Sequence, residues 1–129
     1  NMHRELTIQT SDREEMIDIT ERVAEAVRSL GTDGAVLIST PHTTAAVTVN
    51  ENADPDVVRD FLAGLKKMVP ETGHRHAEGN SPAHIKSSLI GCSQMLPLDN
   101  GKIVLGTWQG IYFCEFDGPR QRRVTVKVL

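Results

Sequence analysis

The chain opens on strict alternation. Across residues 5–10, Leu6 and Ile8 point one way while Glu5, Thr7 and Gln9 point the other, the period of a half-buried strand. The period then lengthens. Met16, Ile19, Val23, Val27 and Leu30 recur at helical spacing, mostly opposite Glu14, Glu15, Asp18, Glu21, Glu25 and Arg28, which predicts a helix capped by Ser11 or Asp12 and ended by Gly31. From Gly34 the run Ala35-Val36-Leu37-Ile38 is continuously apolar, as in a strand covered on both faces. Pro41 breaks regular structure just before His42, and residues 46–50 resume as a third strand with Val47 and Val49 inward. The polar segment 39–44 therefore lies at a sheet end, held by the sheet yet reachable from solvent.

A second helix is punctuated clearly. Asp54 caps it, Pro55 occupies its first turn, and Pro70 stops it. Its apolar face is Val58, Phe61, Leu62, Leu65, Met68 and Val69. A short helix follows, with Asn80 or Ser81 as cap, Pro82 in the first turn and Gly91 just past the end. The last third is all strand. Residues 93–98 and 102–105 flank Asn100-Gly101, a hairpin signal, and residues 107–116 form a long strand that Gly118-Pro119 turns back. Val124, Val126 and Val128 alternate with Arg123, Thr125 and Lys127 in the final strand. This order predicts an α+β fold: an antiparallel or mixed β-sandwich-like core with two long helices and one short helix packed outside. No repeat or linker divides it, so one domain is expected over residues 2–129, with Asn1, ahead of Met2, a cloning remnant.

Composition narrows the function classes. The 129 residues suffice for a real core, and the net charge of −3 argues against broad nucleic-acid binding. No apolar run approaches the roughly 20 residues that span a bilayer, and no secretory signal is visible, so a cytoplasmic protein with no membrane partner is expected. Cys92 and Cys114 show no CxxC spacing and read as reduced buried thiols.

The candidate chemistry gathers around histidine. His74, His76 and His84 fall within residues 73–91, and His42 lies in the polar segment between two strands. Imidazoles converging from a loop, a helix start and a distant segment suit a metal site or a general-base site. His42, His76 and His84 are the expected ligands of a divalent metal such as zinc, with His74 in reserve, although the spacing matches no standard signature such as HExxH. Ordinary loop and cap histidines explain the same pattern about as well. Glu78, two residues from His76, and Glu51, at a strand end, are candidate bases, joined by His84 as a catalytic candidate; solvated carboxylates are the competing reading.

In Gly106-Thr107-Trp108-Gln109-Gly110, the glycines let a ligand or another backbone come close. Trp108 can stack on a flat heteroaromatic ring while Gln109 reads its edge, although a core tryptophan in a glycine-relieved bend explains the segment better taken alone. Arg120, Arg122 and Arg123 suit phosphate oxygens, with Lys86, Ser87 and Ser88 adding donors; a solvated strand edge is the larger alternative. The substrate-binding set so expected is Trp108, Gln109, Asn80, Lys86 and Arg120.

Several segments together resemble the YjbQ-like family, also called the secondary thiamine-phosphate synthase family. They are His42-Thr43-Thr44-Ala45, Asn50-Glu51-Asn52-Ala53-Asp54-Pro55, His76 with Glu78-Gly79-Asn80, Ala83-His84-Ile85-Lys86-Ser87-Ser88, and Leu105-Gly106-Thr107-Trp108-Gln109-Gly110-Ile111. The resemblance covers nearly the whole chain. It implies a compact α+β fold with a β-sandwich core, a homotrimer, and an active site near subunit boundaries whose histidines hold a metal such as zinc. His42, His76 and His84 match the family's histidine positions. The family label further implies joining a pyrimidine diphosphate to a thiazole phosphate with loss of pyrophosphate. Trp108 then stacks on the pyrimidine, and basic groups or the metal stabilise the leaving group. No phosphate-cradling glycine loop followed by a helix is evident.

Three functions are therefore in play. The first is a metal-dependent, thiamine-phosphate synthase-like transferase acting on a small phosphorylated heteroaromatic. The second is a metallo-hydrolase of unknown substrate in the same pocket. The third is a non-catalytic trimer that binds a metabolite or partner.

Overall fold

The computed structural model describes residues 3–129; the expectation about Asn1 lies outside them. Alternation at the start forms β1 (His3–Gln9), with Leu6 and Ile8 buried. The next segment departs from its helical period. Glu15–Asp18 is a strand, β2, and α1 (Thr20–Arg28) begins only after it. Two physical causes are visible. Met16 and Ile17 find a ladder partner in a distant strand, and the Asp18 carboxylate accepts from both the Thr20 N–H (2.9 Å) and its hydroxyl, so the helix starts there. The first of the two expected long helices is accordingly short, at 9 residues.

The remaining elements follow their local signals. β3 (Gly34–Ser39) is followed by β4 (Ala45–Glu51) and α2 (Pro55–Met68). Asp54 Oδ1 accepts from the Asp56 N–H at 2.9 Å, which satisfies one of the orphan donors of the α2 start. α3 (Ser81–Ile90) has Asn80 at its cap position and Pro82 in its first turn. β5 (Ser93–Asp99) and β6 (Lys102–Ile103) are joined by Asn100 (φ 51°) and Gly101 (φ 78°), the positive-φ pair that a two-residue hairpin requires. β7 (Gln109–Glu115) and β8 (Gln121–Val128) complete the chain. The expected strand at residues 107–116 begins only at Gln109.

The strands form two antiparallel sheets, in the orders β1-β8-β3-β5-β6 and β2-β7-β4. The principal core lies between them. Ile8, Val36, Ile38, Val124 and Val126 from the first sheet meet Val47, Ile111 and Phe113 from the second, and α1 adds Val23 and Val27. β3 is thus buried mainly through alternate residues, Val36 and Ile38, rather than on both faces. The outer face of the small sheet carries a second cluster, in which Ala46, Cys114 and Phe116 pack with Leu65 of α2 and Ala83 of α3. β7 is therefore covered on both sides, and α3 is held against β4 beside the end where His42 lies.

Candidate functional site

β3 ends at Ser39, and Pro41 prevents its backbone from continuing the ladder with β8. Side chains take over that role. Thr40 Oγ1 donates to the Arg123 carbonyl (3.0 Å), and the Arg123 N–H donates to His42 Nε2 (3.0 Å). A backbone N–H can only donate, so Nε2 must hold a lone pair. The neutral His42 ring then carries its proton on Nδ1. Partial burial and the positive charges of Arg122, Arg123 and Arg120 push the His42 pKa below 6.5, and Glu115 opposes them only in part. His42 is thus a fixed, neutral hydrogen-bond donor.

Behind His42 lies a buried charged network that joins the two sheets. Arg122 of β8 is 1% exposed and Glu115 of β7 is 0% exposed. The guanidinium grips the carboxylate through both Nε (2.8 Å to Oε1) and Nη2. Thr10 Oγ1 (2.8 Å) and the Asp117 N–H (3.0 Å) also donate to Glu115. Burial alone would raise the Glu115 pKa, but these hydrogen bonds and the Arg122 charge outweigh it and hold the carboxyl below its usual range. Arg122 Nη2 also donates to Thr44 Oγ1 (2.9 Å), two residues from His42.

Across from His42 stands α3. Ser87 Oγ donates to the Ala45 carbonyl at 2.6 Å, and the Val47 N–H donates to the Gly91 carbonyl at 3.1 Å, so helix and strand are tied directly. Between them opens a cleft of about 760 Å³ lined by Thr40, His42, Thr43, His84, Ser88 and Cys92, among others. His76 leans on His84 from the loop before α3, with ring centroids 5.2 Å apart and planes tilted by 57°. Glu78 Oε1 is 3.8 Å from His76 Nε2, close enough for charge attraction but too long for a hydrogen bond.

Comparison with known proteins identifies the lineage. The family model for UPF0047 protein YjbQ-like proteins matches residues 4–129. The chain belongs to this family. It is 52% identical to UPF0047 protein YugU of Bacillus subtilis, covering 99% of each chain, and 52% identical to a UPF0047 protein of Methanocaldococcus jannaschii, covering 95% of this chain and 90% of that one. A crystal structure of an uncharacterised YjbQ/UPF0047 family protein from Clostridium acetobutylicum superposes with a TM-score of 0.94 at 55% identity, covering 98% of this chain and 99% of that one. A protein of unknown function from Sulfolobus solfataricus gives 0.93 at 31% identity, covering 98% and 95%.

These matches correct the functional expectation. None of these relatives' names carries a thiamine-phosphate synthase activity or metal-dependent catalysis, and the two solved structures are described as an uncharacterised conserved protein and a protein of unknown function. Within one chain the expected residues divide into separate groups. Glu51 ends β4 opposite Gln109 in the ladder, while His42 lies just before Ala45 at the other end. Six residue rises of about 3.3 Å put these two ends about 20 Å apart within one chain. Trp108 and Gln109 are consequently not beside the histidines of the same chain. Trp108 is 63% exposed rather than a core residue, and Gln109 Oε1 accepts from the Gly106 N–H. Lys86 is no free phosphate donor, because its buried ammonium pairs with Glu14. Arg120 is engaged by Asp117, which also accepts from Asn80 Nδ2 (2.9 Å). Asn80 accordingly makes no side-chain cap on α3, and its buried Oδ1 has no partner among the described residues. His74 Nε2 donates to the Pro70 carbonyl at 2.6 Å, directed within its own loop.

The fit of a metal is decided by the donors. A neutral imidazole binds a metal through a free lone pair. His42 has one lone pair, and the Arg123 N–H occupies it. Among the described residues, no group of three His, Cys, Asp or Glu side chains is placed to hold an ion. The zinc expected from the sequence has no assembled donor set in this conformation. The thiols split in environment: Cys114 is buried, with its pKa pushed up to about 12 by burial, whereas Cys92 is exposed at the cleft. No helix among the described residues is long and apolar enough to cross a membrane.

Proposed function

We propose that the cleft between His42 and His84 binds a small polar molecule through an acceptor oxygen and moves a proton on it. The observation that supports this reading is the locked state of His42: with Nε2 held by the Arg123 N–H, its remaining polar atom is a donor, Nδ1–H. A donor calls for a carbonyl, carboxylate or phosphate oxygen. A neutral imidazole offers that donor without the desolvation cost of a full charge. His84 lines the same cleft and is the imidazole that exchanges the proton, with His76 packed against it. The homotrimer expected from the family resemblance stays part of this proposal; exposed Met68, Ile85 and Leu89 on α2 and α3 supply an apolar surface for it, and sedimentation measures it.

The test is a panel of small carboxylates, phosphate monoesters and carbonyl compounds, read by the imidazole NMR signals and by turnover. Saturable shifts at His42 and His84 are expected, with turnover lost in His84→Ala. A compound that binds or reacts equally well with His42→Ala and His84→Ala sinks the proposal.

A further inference from the structure

The loop between β3 and β4 carries His42 between two exposed residues, Pro41 and Thr43. Its own backbone does little to fix the ring, and its anchors lie at its ends. Thr40 is held by the Cys92 carbonyl and the Arg123 carbonyl. Thr44 is held by the Phe116 N–H, which donates to its carbonyl (3.2 Å), and by Arg122 Nη2, which donates to its hydroxyl (2.9 Å) and carbonyl (3.3 Å). The second anchor is unusual in kind. A wholly buried ion pair commonly contributes no more stability than well-packed apolar residues of the same volume. This pair, however, directs one arm of its guanidinium at the residue that closes the histidine loop.

We propose that the buried Glu115–Arg122 pair is the positioning unit of the cleft, holding the His42 loop through Thr44 so that the ring meets the Arg123 N–H. Glu115 fixes the guanidinium from behind, with Thr10 and the Asp117 N–H fixing Glu115 in turn. Arg122 fixes Thr44, and Thr44 fixes the approach of His42 to β8. The pair touches no substrate and acts only through the histidine. This inference rests on the cleft being the working site.

Two matched substitutions test it, because each removes one hydroxyl bonded to the same pair. Thr44→Val cuts the link toward His42, whereas Thr10→Val cuts a link on the far side. The readouts are hydrogen-exchange protection of the Arg123 amide and the tautomer of the His42 ring at one fixed pH. Thr44→Val is expected to lower that protection about tenfold, as for a lost hydrogen bond to a charged donor, and to give a mixture of tautomers. Thr10→Val, which leaves the Asp117 N–H and both guanidinium contacts on Glu115, is expected to disturb both readouts less than Thr44→Val does. Arg122→Lys, which keeps the charge but not the fork, is expected to behave as Thr44→Val does. Wild-type protection and a single tautomer in Thr44→Val overturn the inference, as does an equal loss in Thr10→Val. Phosphate-monoester binding by the same samples separates the two claims. A disturbed ring in Thr44→Val, beside a wild type that binds no member of the panel, leaves the positioning role intact and sinks the proposed function.

Discussion

Replacing Arg122 with methionine isolates what the buried pair contributes. The side chain keeps much of its length and loses its charge, which leaves the Glu115 carboxylate fully buried without its counter-ion. Breaking a buried pair from one side costs about 3–5 kcal/mol, because the remaining charge is neither solvated nor neutralised. For a domain of this size that corresponds to a fall in Tm on the order of 10–20 °C. Urea unfolding at neutral pH, followed by far-UV circular dichroism, measures the loss directly. The double variant Glu115→Gln with Arg122→Met should recover the larger part, since a neutral amide can still accept from Thr10 or the Asp117 N–H. The pH dependence carries a sign. In the wild type the Glu115 pKa is held below 4.5, so its contribution is present above that value and lost as pH falls through the folded pKa. Without Arg122, burial governs and raises the pKa, so protonation relieves the variant. The gap between wild type and Arg122→Met should therefore narrow as pH is lowered from 7 toward 4. A loss below about 1 kcal/mol, or a gap that widens on acidification, refutes the reasoning.

Other outcomes follow from single residues. The His42 ring should titrate below 6.5 by NMR; because its folded pKa is depressed, its contribution to stability is full above the unfolded value and is lost as pH falls through the folded one. Asp54→Ala removes the side-chain cap of α2 and should cost about 1 kcal/mol in urea unfolding. Gly110→Ala should cost about 1–3 kcal/mol, since its Cβ would lie 2.4 Å from Asn52 Nδ2, which is itself bonded to Asp18; thermal unfolding measures it.

Much of the fold was legible because its signals are local. Alternation marked β1 and β8, Asp54-Pro55 marked α2, Asn100-Gly101 marked the hairpin, and Pro82 with Gly91 marked α3. β2 was not legible, because Met16 also fits the helical period of Val23 and Val27, and its true partner lies about a hundred residues away in β7. The site divides in the same way. The sequence placed His42 at a sheet end and His84 at a helix start, which brings them to one cleft. The buried pair was hidden because charge outweighed phase in reading Arg122. Its position does alternate inward with Val124 and Val126, and that phase was the available signal. Lys86 carried a similar one, since it shares a buried helix face with Ala83 and Ser87. The distance between the Trp108 end and the histidine end could be read only once β4 and β7 were paired.

The central claim is that His42 is a locked, neutral donor in the cleft. Long-range nitrogen–proton correlation spectra of the imidazole rings, recorded at about pH 7, test it most directly. The account expects His42 to show a proton on Nδ1 and a bare, hydrogen-bonded Nε2 at that pH, with the ring taking a second proton at a lower pH than an ordinary histidine does. A His42 ring protonated on Nε2, or charged at neutral pH, would contradict it.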